Sequence, residues 1–241
     1  MDLSELFYQD FLKDSNSGQL YNVVGHECGY STEFIAEFLK LKGTATTIST
    51  ACSSSANSVM LGARLIKHQM LDAVIVGGCD SLAKFTLNGF GSLKILSKEG
   101  CRPFDETRTG LNLGEGAGFL VLESESQVKK RNVEPICEVT GYANTCDAYH
   151  QTASSPDGDG SFQAMKDALE VANLEANQIS YINAHGTGTQ NNDLSEGKAI
   201  QRLFASPLFS STKPYTGHTL GAAGGIEAVL SCLSLQRQII Y

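Results

Sequence analysis

Strands that alternate with helices along most of the chain predict a layered α/β fold, and three observations carry that expectation. Residues 71–76 form a continuous apolar run closed by Gly77 and Gly78, which suits a strand buried on both faces in a parallel or mixed sheet. Between Thr44 and Ile66 the pattern changes from alternation (Thr44, Thr46, Ile48) to three-and-four spacing (Ala56, Val59, Met60, Ala63, Ile66), so a strand runs into a helix there. The same succession recurs in the second half, where the apolar segment 179–184 precedes a helical pattern over 193–204, and the segment 208–211 precedes another over 221–235.

In chain order, residues 1–20 read as a short helix (Leu3, Leu6, Phe7, Phe11) followed by the polar loop DSNSGQ. Residues 33–42 have helical spacing (Phe34, Ile35, Phe38, Leu39) stopped by Gly43. The strand 44–48 and helix 53–66 follow, with Cys52 on their joint, and then the strand 71–76. Residues 83–98 are aromatic and loop-like around NGFGS, and CRPFDETRTGLNLGEGAG is a glycine-punctuated turn feeding a strand over 118–123. A strand over 136–142, a polar loop over 144–160 containing His150, and a helix over 161–173 complete the pattern. No linker or charge block marks a domain boundary.

The chain has 241 residues with 41% hydrophobic content, enough for a substantial core in one large or two small domains. It contains no run of 18 apolar residues, and its first stretch, MDLSELFYQDFLKD, is acidic without an apolar signal core, so a soluble cytoplasmic protein is expected. Seven cysteines without a CxxC pair or Cys/His ligand spacing argue against a disulfide framework and against a structural zinc site. A net charge of -8 disfavours nucleic acid, whose phosphates need a basic face.

Three residues stand where strand ends and helix mouths converge above a sheet: Cys52, His185 in HGTGTQNND, and His218 in KPYTGHTLGAAGG. A cysteine at a helix N-terminus meets unpaired amides and the positive end of the dipole, which favour the thiolate and make a nucleophile. Ala51, Ser53, Ser54 and Ser55 are small enough to let a thioester reach it. Each residue alone also has a plain reading, as an inert buried cysteine or as a histidine bonded to backbone.

TACSSS, NAHGTGTQNND and STKPYTGHTLGAAGG, in that order, closely resemble the three active-site motifs of the β-ketoacyl synthases, condensing enzymes of fatty-acid and polyketide synthesis. The likeness includes the GFGS and RPFD...GEGAG segments and is nearest to the elongating type with a Cys-His-His site. It implies that Cys52 is the acylated nucleophile and that His185 and His218 promote decarboxylation of a malonyl thioester and hold the enolate oxygen. It implies that Lys213 is the active-site lysine, held by Asp193 and Glu196, and that Glu227 sits nearby with a backbone amide or cation as partner. Thr187 and Thr189 would bond a pantetheine arm, Phe90 would wall an acyl pocket, and Lys94 would meet an acidic acyl carrier protein, with Lys129, Lys130 and Arg131 as weaker contacts. His150 would line the entrance without a catalytic part.

The resemblance also implies the thiolase-like fold, a layered αβαβα stack with mixed five-stranded sheets, divided here into residues 1–125 and 126–241 and incomplete at both termini. Relatives have more chain ahead of the nucleophile and a GFGGTN-type loop beyond the last residue here, so sheet edges and apolar helix faces are expected to stand open. No metal and no cofactor is implied beyond the phosphopantetheine arm of the carrier protein. A homodimer or a complementing ketosynthase-like subunit is the expected assembly. Two other readings stand beside the enzyme: a weak or silent ketosynthase-like subunit acting as a structural or chain-length partner, and a coenzyme A-dependent thiolase of the same fold.

Overall fold

The computed structural model describes residues 3–241; Met1 and Asp2, at the head of the first expected helix, lie outside them. The elements are α1 (Leu3–Lys13), α2 (Tyr21–Val24), α3 (Tyr30–Phe38), α4 (Ser54–Lys67), β1 (Ala73–Asp80), α5 (Lys84–Ser92), β2 (Gly116–Glu123) and α6 (Glu125–Arg131) in the first half. The second half has α7 (Asp159–Ala172), β3 (Ile182–Asn183), α8 (Gln190–Leu203), β4 (Phe209–Ser210), α9 (Lys213–Thr216) and α10 (Ala223–Arg237).

β1 pairs antiparallel with β2 from Ala73↔Glu123 to Asp80↔Gly116, and α4 and α10 pack across this pair. Glycines allow the close approach: a Cβ on Gly62 would meet Val76 Cγ1 at 2.4 Å, and one on Gly118 would meet the Ile226 nitrogen at 2.5 Å. Ser55 Oγ accepts the Gly225 N–H at 2.8 Å, and Asp80 Oδ2 accepts the Gly221 N–H at 3.0 Å, so α4 and β1 are both tied to the start of α10. This brings the half carrying Cys52 against the half carrying His218. In the second half β3 pairs parallel with β4, and Ala184, Ile200 and Phe204 form a buried cluster with Phe104, Met165 and Leu169 packed on it.

The layered α/β plan holds, while several elements differ from expectation. β1 continues through Gly77 and Gly78 to Asp80 instead of ending there, because both glycines face close-packed neighbours: a Cβ on Gly78 would meet Ser55 Cβ at 2.9 Å. The strand is not covered on both faces. Val76 is buried beneath the helices, whereas Phe119 and Val121 on the opposite face of the pair are exposed, Val121 by 63%. Residues 83–98 contain a helix, α5, whose Gly89 and Gly91 sit in helical backbone despite their turn-like composition.

Segments 44–48 and 136–142 run without strand pairing; Thr50↔Cys52 is an isolated bridge beside the first of them. Their alternation suits a pleated backbone, but a ladder also needs a neighbour with free amides and carbonyls, and neither segment has one among the described residues. Among the described residues each ladder therefore has two strands, short of five. α3 ends at Phe38, four residues before the expected stop, with Lys40 in the left-handed region. Among the described residues no helix is long and apolar enough to cross a membrane.

Candidate active site

Cys52 is presented by a tight turn. Ala51, just before it, has φ 53°, a left-handed conformation that costs a non-glycine residue on the order of 1–2 kcal/mol. Serine hydroxyls hold the turn: Ser54 Oγ accepts the Thr50 N–H at 2.9 Å and donates to the Ala51 carbonyl at 2.6 Å, while Ser53 Oγ donates to the Thr50 carbonyl at 2.8 Å. These serines are thus more than small neighbours. Asn57, on the first turns of α4, donates to Thr50 Oγ1 at 2.9 Å and secures the same loop.

The electrostatics at Cys52 differ from the thiolate expected at a helix mouth. Burial pushes the thiol above its ordinary value, and this outweighs the opposing pull of its own backbone N–H and of the Lys213 charge. The residue rests as a thiol.

β3 delivers His185, and the turn before α10 delivers His218. Their ring centroids lie 5.1 Å apart, edge to face at 85°. One ligand atom from each ring and the Cys52 sulfur lie within 4.8 Å of one another, so three residues spread over 166 positions converge on one spot. The His218 backbone is pinned from both sides, its N–H donating to the Asn112 carbonyl at 2.7 Å and its carbonyl accepting the Gly114 N–H at 3.1 Å. The glycine-punctuated turn upstream of β2 therefore positions the second histidine.

Both imidazoles are neutral. Burial and then the Lys213 charge lower His218 to about 4, and burial, Lys213 and His218 in that order hold His185 well below its ordinary value. Their tautomers follow from their partners. His218 Nδ1 accepts the Leu220 N–H at 3.0 Å, and His185 Nδ1 lies 3.3 Å from Lys213 Nζ, an ammonium that can only donate. With Nδ1 accepting in each ring, the neutral ring carries its proton on Nε2. By residue type Cys52, His185 and His218 could hold a soft divalent cation. Rings protonated at Nε2 offer hydrogens there instead of lone pairs, and such a site suits an oxyanion better than a metal.

Lys213 is buried, with 1% side-chain exposure, and its three ammonium protons have three acceptors. These are the His185 carbonyl at 2.6 Å, His185 Nδ1 and Glu227 Oε1. The lysine is therefore paired with Glu227, not held by Asp193 and Glu196. Those two carboxylates, one helical turn apart on α8, are taken by backbone amides of the turn that follows β3. Glu196 accepts the N–H groups of His185 at 2.7 Å and Gly186 at 2.8 Å. Asp193 accepts those of Thr187 at 3.0 Å and Gly188 at 3.1 Å, and that of Phe104 at 2.7 Å. Burial raises Glu196 above its ordinary value against the pull of these amides, and burial raises Glu227 against the pull of Lys213.

Thr187 and Thr189 bond each other, Oγ1 to Oγ1 at 2.9 Å, and so close the turn. Phe90 is half-buried on α5. A cavity of about 270 Å³ opens beside that helix, lined by Leu87, Leu96, Ser97, Leu111, Asn112 and Leu113. Lys94 is exposed just past α5. In the basic run on α6, Lys129 pairs with Glu125 and Arg131 with Glu123, which neutralises much of that patch. His150 is exposed and bonded locally by the Thr152 N–H. Sequence reasoning passed over Arg108, which lies 3.9 Å from Asp193 and donates to the Thr189 carbonyl at 3.3 Å, and Phe104, which stacks edge-on against Phe209. Both belong to the CRPFDETR stretch, which the resemblance includes as a segment without assigning a role to either residue.

Comparison with known proteins bears on the family and the fold. The sequence matches the family description "Beta-ketoacyl synthase, N-terminal domain" over residues 7–128 and "Beta-ketoacyl synthase, C-terminal domain" over residues 136–241. It is 40% identical over 208 residues to a 3-oxoacyl-[acyl-carrier-protein] synthase 2 of Staphylococcus aureus, covering 82% of this chain and 52% of the relative. The corresponding protein of Vibrio cholerae is 39% identical over 212 residues, covering 83% and 51%. The chain thus spans about half the length of the curated relatives it matches. Among solved structures, the ishigamide ketosynthase/chain length factor superposes with a TM-score of 0.93 at 32% identity, over 98% of this chain and 59% of that one. The ketosynthase ApeO in complex with its chain length factor, from Xenorhabdus doucetiae, gives 0.82 at 42% identity, over 88% and 51%. With one family description matched over residues 7–128, the other over 136–241, and a thiolase-like layered fold shared with these ketosynthases, the chain belongs to the β-ketoacyl synthase family.

Proposed function

We propose that the chain carries the active site of a β-ketoacyl synthase, which joins an acyl group held on Cys52 to a malonyl unit by decarboxylative Claisen condensation. The convergence of the Cys52 sulfur with two neutral imidazoles within 4.8 Å is the observation that carries the reading.

In the first step the Cys52 sulfur attacks the carbonyl of an acyl thioester, and its proton ends on the departing pantetheine thiol. In the second, a malonyl thioester loses CO2 and leaves an enolate whose oxygen receives hydrogen bonds from the Nε2–H groups of His185 and His218. The enolate carbon attacks the acyl carbonyl, and Cys52 departs as a thiolate that regains a proton from solvent. Lys213 is a positioning residue: its ammonium fixes the His185 tautomer and places positive charge behind the ring, and Glu227 balances that charge. Asp193 and Glu196 hold the turn that orients His185. Thr187 and Thr189 are candidate contacts for the pantetheine amides, and Phe90 for the acyl chain.

The substrates are acyl and malonyl groups on an acyl carrier protein, with Lys94 as a candidate contact, and no cofactor is needed beyond the pantetheine arm of that protein. The setting is cytoplasmic. The exposed face of Phe119 and Val121 supports assembly with a second copy or a complementing ketosynthase-like subunit, residues 1–125 and 126–241 forming the two halves of the fold. The silent-subunit reading is the weaker one, because a partner with no chemistry of its own has no use for a strained turn presenting Cys52 to two tautomer-fixed histidines. Incubation with an acyl-pantetheine thioester, followed by peptide mass mapping, tests the first step. Acyl mass on the Cys52 peptide is expected, and acyl mass on another cysteine with Cys52 free would overturn it.

A further inference from the structure

A second pair of sulfurs meets outside the Cys52 site. Cys137, in the unpaired extended segment after α6, and Cys232, on α10, are 95 residues apart in sequence, yet their sulfurs lie 3.5 Å from each other. Cys137 is exposed and Cys232 half-buried. We propose that Cys137 and Cys232 form a dithiol modification site, which a small-molecule disulfide converts reversibly into an intramolecular disulfide.

A disulfide requires the sulfurs to approach to about 2.05 Å, a closure of roughly 1.5 Å from their present contact. Cys137 can supply it, because its segment has no ladder hydrogen bonds to break. Cys137 is the entering nucleophile on grounds of access. Its sulfur attacks one sulfur of the reagent RSSR, forming a mixed disulfide and releasing RSH. Cys232 then attacks the Cys137 sulfur and expels the second RSH. The protein gives up two hydrogens and two electrons, and RSSR is reduced to two RSH.

The local electrostatics fit this order. The Cys232 thiol is pushed up to about 11, first by burial and then by its contact with Cys137, so Cys232 keeps its proton while Cys137 reacts. Formation of the mixed disulfide removes the contribution of a free Cys137 and lowers the barrier to the second attack. The product ties the segment to α10, five residues beyond Glu227, the carboxylate paired with Lys213. None of the other cysteines offers such a pair among the described residues: Cys101 donates to the Thr187 carbonyl at 3.0 Å, and Cys28 lies 3.9 Å from the Ser49 hydroxyl.

The test uses the full chain with oxidised glutathione, quenched with N-ethylmaleimide and read by intact mass and peptide mapping. The expected result is loss of two hydrogens, restored by dithiothreitol, with Cys137 and Cys232 peptides recovered as a linked pair. In Cys232→Ser the reaction should halt with glutathione on Cys137. Full alkylation of both sulfurs after the incubation, glutathione on Cys137 of the unaltered chain without closure, or linkage through other cysteines would overturn the proposal.

Discussion

Lys213 Nζ meets His185 twice, at the carbonyl oxygen 2.6 Å away and at Nδ1 3.3 Å away, so one buried ammonium holds both the backbone and the ring of the same histidine. Its third proton goes to Glu227. Replacing Lys213 by Met should free the His185 tautomer and cut condensation about 100-fold, the scale of losing one oxyanion donor. The same change strands Glu227, and breaking such a pair costs about 3 kcal/mol of stability. The double variant Lys213→Met/Glu227→Gln should regain most of the stability in urea denaturation without regaining activity. Recovery of both together would show that the lysine acts through folding alone.

The depressed value at His218 has a signed consequence for acid stability. Below about pH 6.5 an unfolded histidine takes a proton that the folded residue refuses until about pH 4. Folding stability from this group is complete above pH 6.5 and is lost as pH falls towards 4, by roughly 3 kcal/mol in total. Glu196 and Glu227, raised in the fold, act with the opposite sign in the acid range, so the quantity to measure is the difference between the unaltered chain and His218→Gln. That difference should shrink as pH drops from 7 to 4, and a flat difference would contradict a buried neutral ring.

Burial holds Cys52 as a thiol despite its place at the mouth of α4. The rate of its alkylation by iodoacetamide should therefore climb with pH to a midpoint above that of an ordinary cysteine, followed by mass mapping of the Cys52 peptide. A plateau below pH 8 would mean that the helix dipole and Lys213 prevail over desolvation.

Glu196 accepts two successive amides at His185 and Gly186, and both lose their acceptor in Glu196→Ala. Leaving buried donors unpaired costs about 1–3 kcal/mol each, so this variant should be destabilised by about 2 kcal/mol or more. Glu196→Gln, which keeps one oxygen acceptor, should fall between. Because the affected amides carry His185, activity should fall in the same order, with Cys52 alkylation unchanged.

The positions of Cys52, His185 and His218 were legible because each stands where a periodic pattern breaks, and such breaks mark strand ends and helix mouths. The partners of Lys213 were not. Spacing places Asp193 and Glu196 on one face of α8, but what faces them is decided by the turn of residues 185–188 folding back over that helix, and Glu227 reaches Lys213 only because small residues let α10 pack closely on β2. Segments 44–48 and 136–142 differ from their sequence expectation for a related reason. Alternation specifies a pleated backbone, and the partner strand that would complete a ladder lies beyond what local pattern encodes.

On the proposed function, His185 and His218 together stabilise the enolate formed when a malonyl thioester loses CO2 beside Cys52. The most direct measurement is CO2 release from malonyl-pantetheine bound to a carrier protein, comparing the unaltered chain with His185→Ala, His218→Ala and Cys52→Ala. Release should fall about 100-fold or more in each histidine variant and persist in the cysteine variant, whose sulfur is not needed for decarboxylation. Equal release from the unaltered chain and both histidine variants would contradict it.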